Sequence, residues 1–142
     1  REVITENTAF LMANLLQGVV DEGTGRRLRF RYGFKNQIGG KTGTTQNHSD
    51  GWFIGITPDL AGGVWVGAED RSIHFQNLAN GQGASMALPI WALFMQKVYA
   101  DKSLAVPQSD FQKPNGVNHV LDCGDADREG MTDYDSSDEI FD

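Results

Sequence analysis

Glycine, lysine and threonine are concentrated at residues 39–45, which read GGKTGTT. On a strand, this composition suits the binding of an extended peptide, which can exchange backbone hydrogen bonds with the strand edge. Gly43 leaves room for such an approach because it has no side chain. The pattern therefore suits a strand that binds an extended peptide, although a surface lysine on an ordinary strand would have the same composition.

A phosphate-binding loop is the rival interpretation of a lysine that follows two glycines. That motif has the form G-x-x-x-x-G-K-[ST] and opens a helix at its end. Counted back from Gly40, the first glycine would fall at position 35, which is Lys35, and no helix signal follows Thr45. These two departures argue against nucleotide binding.

Charge is distributed very unevenly along the 142 residues, which are enough for one domain or for part of a larger one. Residues 122–142 contain nine acidic side chains and one basic side chain, whereas residues 1–121 contain ten acidic and eleven basic ones. We predict that residues 106–142 form an acidic, disordered tail, because they contain too few apolar residues to offset the entropy of ordering them. An acidic partner-binding tail is the alternative. The charge of neither segment suggests binding to nucleic acid.

The chain offers little for a disulfide, a metal or a cofactor. Cys123 is the only cysteine, so an internal disulfide and a cysteine-based metal cluster are excluded. His74 and His119 lack partners at ligand spacing, and His48 and Asp50 are interpreted as turn residues. We therefore predict no metal site and no cofactor.

The periodicity predicts an α+β fold with the order helix, three-stranded antiparallel sheet, helix. Apolar residues three and four apart predict the first helix over about 5–20, and a second, largely apolar helix should begin near Ser85 or Leu88, with Ser85 as its cap and Pro89 in its first turn. Short connections favour antiparallel pairing. The predicted strands are residues 38–45, 51–57 with both faces buried, and 63–69.

Three further predictions concern the basic segment, the glycine-rich segment and the tryptophans. Basic and aromatic residues alternate over residues 26–35, which suits either a solvated strand edge or an anion-facing hairpin. Residues 70–84 are polar and rich in glycine, so they are predicted to be a loop. The three tryptophans, Trp52, Trp65 and Trp91, are assigned to the core.

The sequence around the lysine resembles the last part of the transpeptidase domain of class A, bifunctional penicillin-binding proteins. The similar run is GGKTGTTQNHSDGWFIGITPDLAGGVWVG, and GTGRR at 23–27 and ALPIWALFM at 87–95 also resemble that family. The resemblance implies that residues 1–105 are the C-terminal portion of such a domain, with a partial penicillin-binding-protein and β-lactamase-like fold. The Ser-x-x-Lys and Ser-x-Asn motifs of the family are missing.

By this resemblance, Lys41 is the catalytic lysine that supports proton transfer and offsets negative charge near the active serine. Thr42, Gly43 and Thr44 are implied to bind the donor peptide, whose terminal carboxylate is held by the hydroxyl groups. The backbone amide of Thr44 would supply one donor of the oxyanion hole. In the parent protein, a serine would attack a D-Ala-D-Ala peptide and an amine from a second stem peptide would resolve the acyl-enzyme.

The chain is thus expected to be an inactive fragment of a peptidoglycan D,D-transpeptidase. The parent would act on stem peptides and β-lactams on the periplasmic side of the membrane that anchors it. Because further strands of the family's sheet would come from chain before Arg1, the fragment is expected to self-associate. The alternative is a noncatalytic module that uses the same strand to bind a peptide or a partner.

Overall fold

A computed structural model describes residues 3–117 of the chain. The helices and strands follow one another as α1 (Glu6–Asp21), α2 (Arg27–Phe30), β1 (Gly39–Thr44), a 3-10 turn (Gln46–His48), β2 (Gly51–Ile56), β3 (Ala61–Val66), α3 (Leu78–Gly81) and α4 (Gly83–Ala100). The sheet has the order β1-β2-β3 and is antiparallel throughout. This arrangement confirms the predicted α+β class and the order helix, three-stranded sheet, helix.

Helix α1 lies within one residue of its predicted position. Thr5 caps it, and the Thr5 hydroxyl accepts a hydrogen bond from the backbone N–H of Thr8 at 3.3 Å. Val20, near its C-terminal end, is fully buried, whereas Met12 and Leu15 remain half exposed. The apolar face of α1 is therefore only partly covered by the described residues.

Strand β3 begins two residues earlier than predicted, and it ends three residues earlier. A tight turn is the reason, because the backbone N–H of Thr57 donates to the carbonyl of Leu60 at 2.7 Å. Pairing can then start at once, with Ile56 opposite Ala61. The Thr57 hydroxyl also accepts from the N–H of Leu60 at 3.0 Å, which tightens the same turn.

The prediction that both faces of β2 are buried is wrong. Phe53 is fully buried on the face covered by α4, but Ile54 on the opposite face is 51% exposed. Trp52 and Trp65 lie on this exposed face with ring centroids 6.4 Å apart, and both are nearly half exposed. Only Trp91 of the three tryptophans belongs to the core, because a single helical layer covers one face of β2 and β3.

The basic segment after α1 is neither a strand edge nor a hairpin, because residues 27–30 form the short helix α2. Its arginines serve structural roles. Arg27 Nη1 donates to the carbonyl of Ala84 and to the hydroxyl of Ser85, both at 3.0 Å. Arg29 forms an ion pair with Asp21 at 2.7 Å and also donates to main-chain carbonyls. The alternation in sequence gave no sign of this, because the acceptors of Arg27 lie 57 and 58 residues further along the chain.

The region before α4 also differs from its prediction. Residues 78–81, within the predicted loop, form the short helix α3, and Asn77 caps it by accepting from the N–H of Asn80 at 3.0 Å. Helix α4 begins at Gly83 after an N-cap at Gln82, so Ser85 lies inside the helix and is not the cap. Pro89 lies in the second turn, where its missing N–H leaves the Ser85 carbonyl without the usual helical donor.

The core lies between the sheet and α4, and α1 packs against β1, where a Cβ on Gly39 would lie 3.0 Å from the Cβ of Leu16. Trp91 occupies its centre, with its ring 5.3 Å from that of Phe53 in an edge-to-face contact and 6.2 Å from that of Phe34. The other buried members of this cluster are Val20, Leu28, Ile38, Ala87, Leu88, Ala92 and Met95. Burial of this cluster fixes the sheet on α4 and so determines where β1 lies.

Residues 106–117 contain no helix or strand, and they run back toward β1. The backbone N–H of Phe111 donates to the side-chain oxygen of Gln37 at 2.8 Å. The rest of the predicted tail, including Cys123, lies outside the described residues, so its predicted disorder stays a prediction. None of the helices among residues 3–117 has the length and hydropathy that a membrane crossing requires.

Candidate active-site strand

The predicted site residues lie together on β1, which is an outer strand of the sheet. All six residues of β1 pair with β2, with Lys41 opposite Ile54 and Gly43 opposite Trp52. Side chains alternate along a strand, so Lys41 shares the exposed face of Ile54 while Thr42 and Thr44 point to the opposite face. The lysine and the threonine hydroxyls therefore lie on the two sides of one strand, close to its free edge.

The hydrogen-bond pattern shows which main-chain groups of β1 face that edge. The N–H of Thr45 donates to the carbonyl of Asp50 at 3.0 Å, so the main chain of Thr45 points toward β2. Since the direction alternates along an antiparallel strand, the main-chain groups of Gly40, Thr42 and Thr44 point outward. Within the described part of the chain, no other strand pairs with them. Gly40 is buried, so an incoming extended peptide would find donors and acceptors at Thr42 and Thr44.

Lys41 is exposed and lies over its own strand. Its Nζ donates to the carbonyl of Thr42 at 2.6 Å, which is one of the outward-facing groups. The ammonium thus lies at the free edge, where it can meet a negatively charged group of a ligand. This short contact also occupies the Thr42 carbonyl.

The two threonines of the motif are held by segments distant in sequence. The hydroxyl groups of Thr42 and Thr24 are 2.8 Å apart, which joins β1 to the loop after α1. The Thr44 hydroxyl accepts from the N–H of Gly83 at 3.0 Å, which joins β1 to the start of α4. A hydroxyl has one donor and two acceptor positions, so Thr44 keeps its O–H for a ligand.

Glycine at position 83 is required by this close contact. A Cβ at this position would lie 2.4 Å from two backbone oxygens, those of Gly43 and Trp52. The N-terminus of α4 therefore lies directly against the motif strand. Gly83 carries no signal in the sequence, since its role depends on the packing of α4 against β1 and β2.

The loop between β1 and β2 is organised by Asp50. Its carboxylate accepts from the Ser49 hydroxyl at 2.9 Å and from the indole N–H of Trp65 at 3.0 Å, and its backbone N–H donates to the Thr45 hydroxyl at 2.9 Å. Hydrogen bonds from Ser49, then Trp65 and Thr45, together with the charge of Arg71, hold the pKa of Asp50 below its usual value. His48 and Asp50 are turn residues as predicted, and Asp50 also fixes the end of β1.

A metal cluster is absent from the part of the chain that the structure describes, in which no group of three or more His, Cys, Asp or Glu side chains could hold an ion. The site consists of a lysine, hydroxyls and outward-facing main-chain groups. Such a set can bind and orient a peptide and can stabilise negative charge.

The family model and the most similar known proteins point to the same family. The model of the penicillin-binding protein transpeptidase domain matches residues 1–86. Penicillin-binding protein 1A of Pseudomonas aeruginosa is 36% identical over 117 residues, which cover 81% of this chain and 13% of that protein. Penicillin-binding protein 1A of Aquifex aeolicus is 34% identical over 113 residues, which cover 80% of this chain and 14% of that protein.

A solved structure shows the same relationship. The crystal structure of penicillin-binding protein 1A from Haemophilus influenzae matches with a TM-score of 0.67 and 28% sequence identity, over 80% of this chain and 17% of that one. The chain thus spans about one seventh of the length of the first curated relatives it matches.

Proposed function

The chain belongs to the penicillin-binding-protein transpeptidase family, and we propose that it supplies the peptide-binding strand of a peptidoglycan D,D-transpeptidase. The parent is proposed to be a class A enzyme that acts outside the cytoplasmic membrane, on peptidoglycan stem peptides and on β-lactams. One observation carries the proposal. The GGKTGT segment is an outer strand with which no other strand of the described residues pairs, and the main-chain groups of Thr42 and Thr44 face its outer edge.

Each residue of the strand has a proposed role that follows from its position. Lys41 places a positive charge at the free edge, where it would support proton transfer to and from the attacking serine. The O–H of Thr44, which its bond to Gly83 leaves free, would donate to the terminal carboxylate of the peptide, together with Thr42. Gly43 keeps the exposed face beside Trp52 open.

The outward direction of the Thr44 main chain supports its proposed role in an oxyanion hole. A donor must point to where the negative oxygen develops, and the Thr44 N–H points away from β2. The second donor would come from the backbone of the nucleophilic serine, which is supplied by another part of the parent protein. Serine attack would form an ester with the penultimate D-Ala carbonyl and release the terminal D-Ala.

Replacing Lys41 with alanine in the complete parent transpeptidase tests the proposal. We expect the rate of acylation by a fluorescent penicillin to fall about a hundredfold, because general acid–base groups contribute at least that much. The matched control is Lys35→Ala, since Lys35 is also exposed but lies in the loop before β1. Equal acylation rates for Lys41→Ala and the unchanged parent would refute the role given to Lys41.

The isolated chain is predicted to form no covalent adduct with a β-lactam, because it has no Ser-x-x-Lys nucleophile. A labelled penicillin incubated with the chain and resolved on a denaturing gel should give no labelled band, whereas the parent should give one. A band that survives denaturation would show that a side chain of this chain is acylated. That result would overturn the division of roles proposed here.

The alternative function is a noncatalytic module that binds a peptide or a partner. Membership of the transpeptidase family favours the enzyme over this alternative. The sequence of the gene before Arg1 discriminates between the two. A Ser-x-x-Lys at domain-like distance upstream supports the enzyme, and its absence supports the binding module.

A further inference from the structure

The loop between α1 and α2 brings a further hydroxyl group to the motif strand. Thr24 lies in this loop, 18 residues before Thr42, and the two hydroxyl oxygens are 2.8 Å apart. Thr24 is exposed and Thr42 is partly exposed, so their contact lies at the protein surface beside β1. A ligand at the edge of β1 can therefore meet the two hydroxyl groups together.

The loop holds Thr24 in place because the glycines on both sides of it pack against the end of α1. A Cβ on Gly23 would lie 2.9 Å from the carbonyl oxygen of Val19, and a Cβ on Gly25 would lie 3.1 Å from the same oxygen. The N–H of Gly23 donates to the carbonyl of Gly18 at 3.1 Å, and the N–H of Gly25 donates to that of Val19 at 2.9 Å. With both neighbours of Thr24 fixed in this way, its hydroxyl has a defined position relative to β1.

The far end of the loop is joined to α4. Arg27, which follows the loop, donates to the carbonyl of Ala84 and to the hydroxyl of Ser85, both at 3.0 Å. The start of α4 also holds the hydroxyl of Thr44. The loop and the start of α4 therefore form one hydrogen-bonded support beside β1, in which the helix holds Thr44 and the loop holds Thr42.

The count of protons shows what this support does for a ligand. The two hydroxyl groups of Thr24 and Thr42 carry two protons, and their 2.8 Å contact uses one of them. When Thr24 donates, the O–H of Thr42 is left for a ligand. Thr44 has the same arrangement, because it accepts from the N–H of Gly83 and keeps its own O–H. A carboxylate that accepts from Thr42 favours this direction, since each hydrogen bond in a chain strengthens the next.

We propose that Thr24 is a positioning residue for the carboxylate of the peptide. It donates to the hydroxyl oxygen of Thr42 and so directs the O–H of Thr42 to the carboxylate. This inference rests on the proposed transpeptidase function, in which Thr42 and Thr44 bind that carboxylate. Without Thr24 the Thr42 hydroxyl loses its fixed direction, and a ligand must then order it at a cost in entropy. Thr24 thereby favours ligands that have a free carboxylate.

Thr24→Val in the proposed parent transpeptidase tests the inference, because valine removes the hydroxyl and keeps nearly the same shape. The measurement is the second-order rate constant of acylation by a penicillin and by its methyl ester. We expect the rate constant for the free penicillin to fall about five- to tenfold and that for the ester to change less than about twofold, because only the carboxylate accepts from Thr42. Thr24→Ser should restore most of the loss. Acylation by the ester also establishes that each variant is folded.

Thr8→Val is the matched control. The hydroxyl groups of Thr5 and Thr8 form a similar exposed pair, 3.0 Å apart, at the start of α1. Helix α1 has 16 residues and is thus about 24 Å long, which separates this pair from the loop that follows the helix. We expect Thr8→Val to leave both rate constants unchanged. A loss of the same size from Thr8→Val, or an equal loss for penicillin and its ester in Thr24→Val, would overturn the positioning role.

Thr42→Val shows whether Thr24 acts through Thr42. Adding Thr24→Val to Thr42→Val should cause little further loss, since the donor to the carboxylate is already gone. The full loss from Thr24→Val in both backgrounds would contradict the inference. If Thr42→Val slows acylation by penicillin and Thr24→Val does not, the role of Thr24 alone is overturned. If neither variant slows it, the carboxylate-binding role of Thr42 in the proposed function is overturned as well.

Discussion

Replacing Trp91 with alanine is expected to lower the free energy of unfolding by about 3–5 kcal/mol, the usual cost of removing a large buried aromatic side chain. Trp91 is 2% exposed and contacts Phe34 and Phe53 at the centre of the core. Removing its ring leaves a cavity between α4 and the sheet. Urea denaturation at a fixed protein concentration measures the change, because self-association would otherwise shift the apparent stability.

Trp52→Ala is the matched control for this prediction. Trp52 is 44% exposed and lies on the uncovered face of the sheet, so we expect a cost of about 1 kcal/mol. Equal losses for the two tryptophans would contradict the assignment of Trp91 alone to the core.

A substitution at Gly55 tests whether the Trp91 ring lies against β2. A Cβ on Gly55 would lie 2.5 Å from Cε2 and Cζ2 of Trp91, so Gly55→Ala alone should cost about 1–3 kcal/mol. Once Trp91 is alanine, that overlap is gone and most of this cost should disappear. Strict additivity of the two substitutions would show that the ring does not lie against Gly55.

Replacing Gly83 with alanine is expected to destabilise the chain by about 3 kcal/mol, the upper part of the range for overpacking. The new Cβ would meet the backbone oxygens of Gly43 and Trp52, and backbone atoms on two paired strands cannot move aside as a flexible side chain can. The start of α4 must then shift away from β1. The bond from the Gly83 N–H to the Thr44 hydroxyl would lengthen with it.

Gly18→Ala is the same substitution in a different place and should have the opposite sign. Gly18 lies inside α1, where a methyl group would meet no atom within 4 Å beyond the neighbouring helix backbone, so alanine should stabilise the helix by about 0.5–1 kcal/mol. Thermal and urea unfolding of both variants measure the pair. Destabilisation by both, to a similar extent, would show that loss of glycine flexibility and not the α4 contact is responsible.

In the proposed parent transpeptidase, Gly83→Ala should also affect the motif strand. The clash is with the carbonyl of Gly43, which belongs to the strand proposed to bind the peptide. We therefore expect acylation to slow even at temperatures where the variant stays folded. Position 83 thus connects the stability of α4 with the geometry of the candidate site.

Local patterns in the sequence determined the elements that lie near their predicted places. The period of the apolar residues identified α1 and α4, and short connections between apolar runs gave the antiparallel sheet. The motif was assigned to a strand, and Lys41, Thr42, Gly43 and Thr44 do lie on β1. These features depend on residues close together in the chain, which is why sequence alone could identify them.

Tertiary structure decided which faces are buried and what the polar groups contact. A strand of alternating large apolar residues reads as buried on both sides, yet only a second layer of structure can cover the second face, and Trp52 and Ile54 remain exposed. Residues 27–30 of the basic segment form a helix, and their arginines donate hydrogen bonds to acceptors on α4 and on the loop before β1. The roles of Gly83 and Asp50 depend on contacts between segments distant in sequence, and no local pattern encodes such distances.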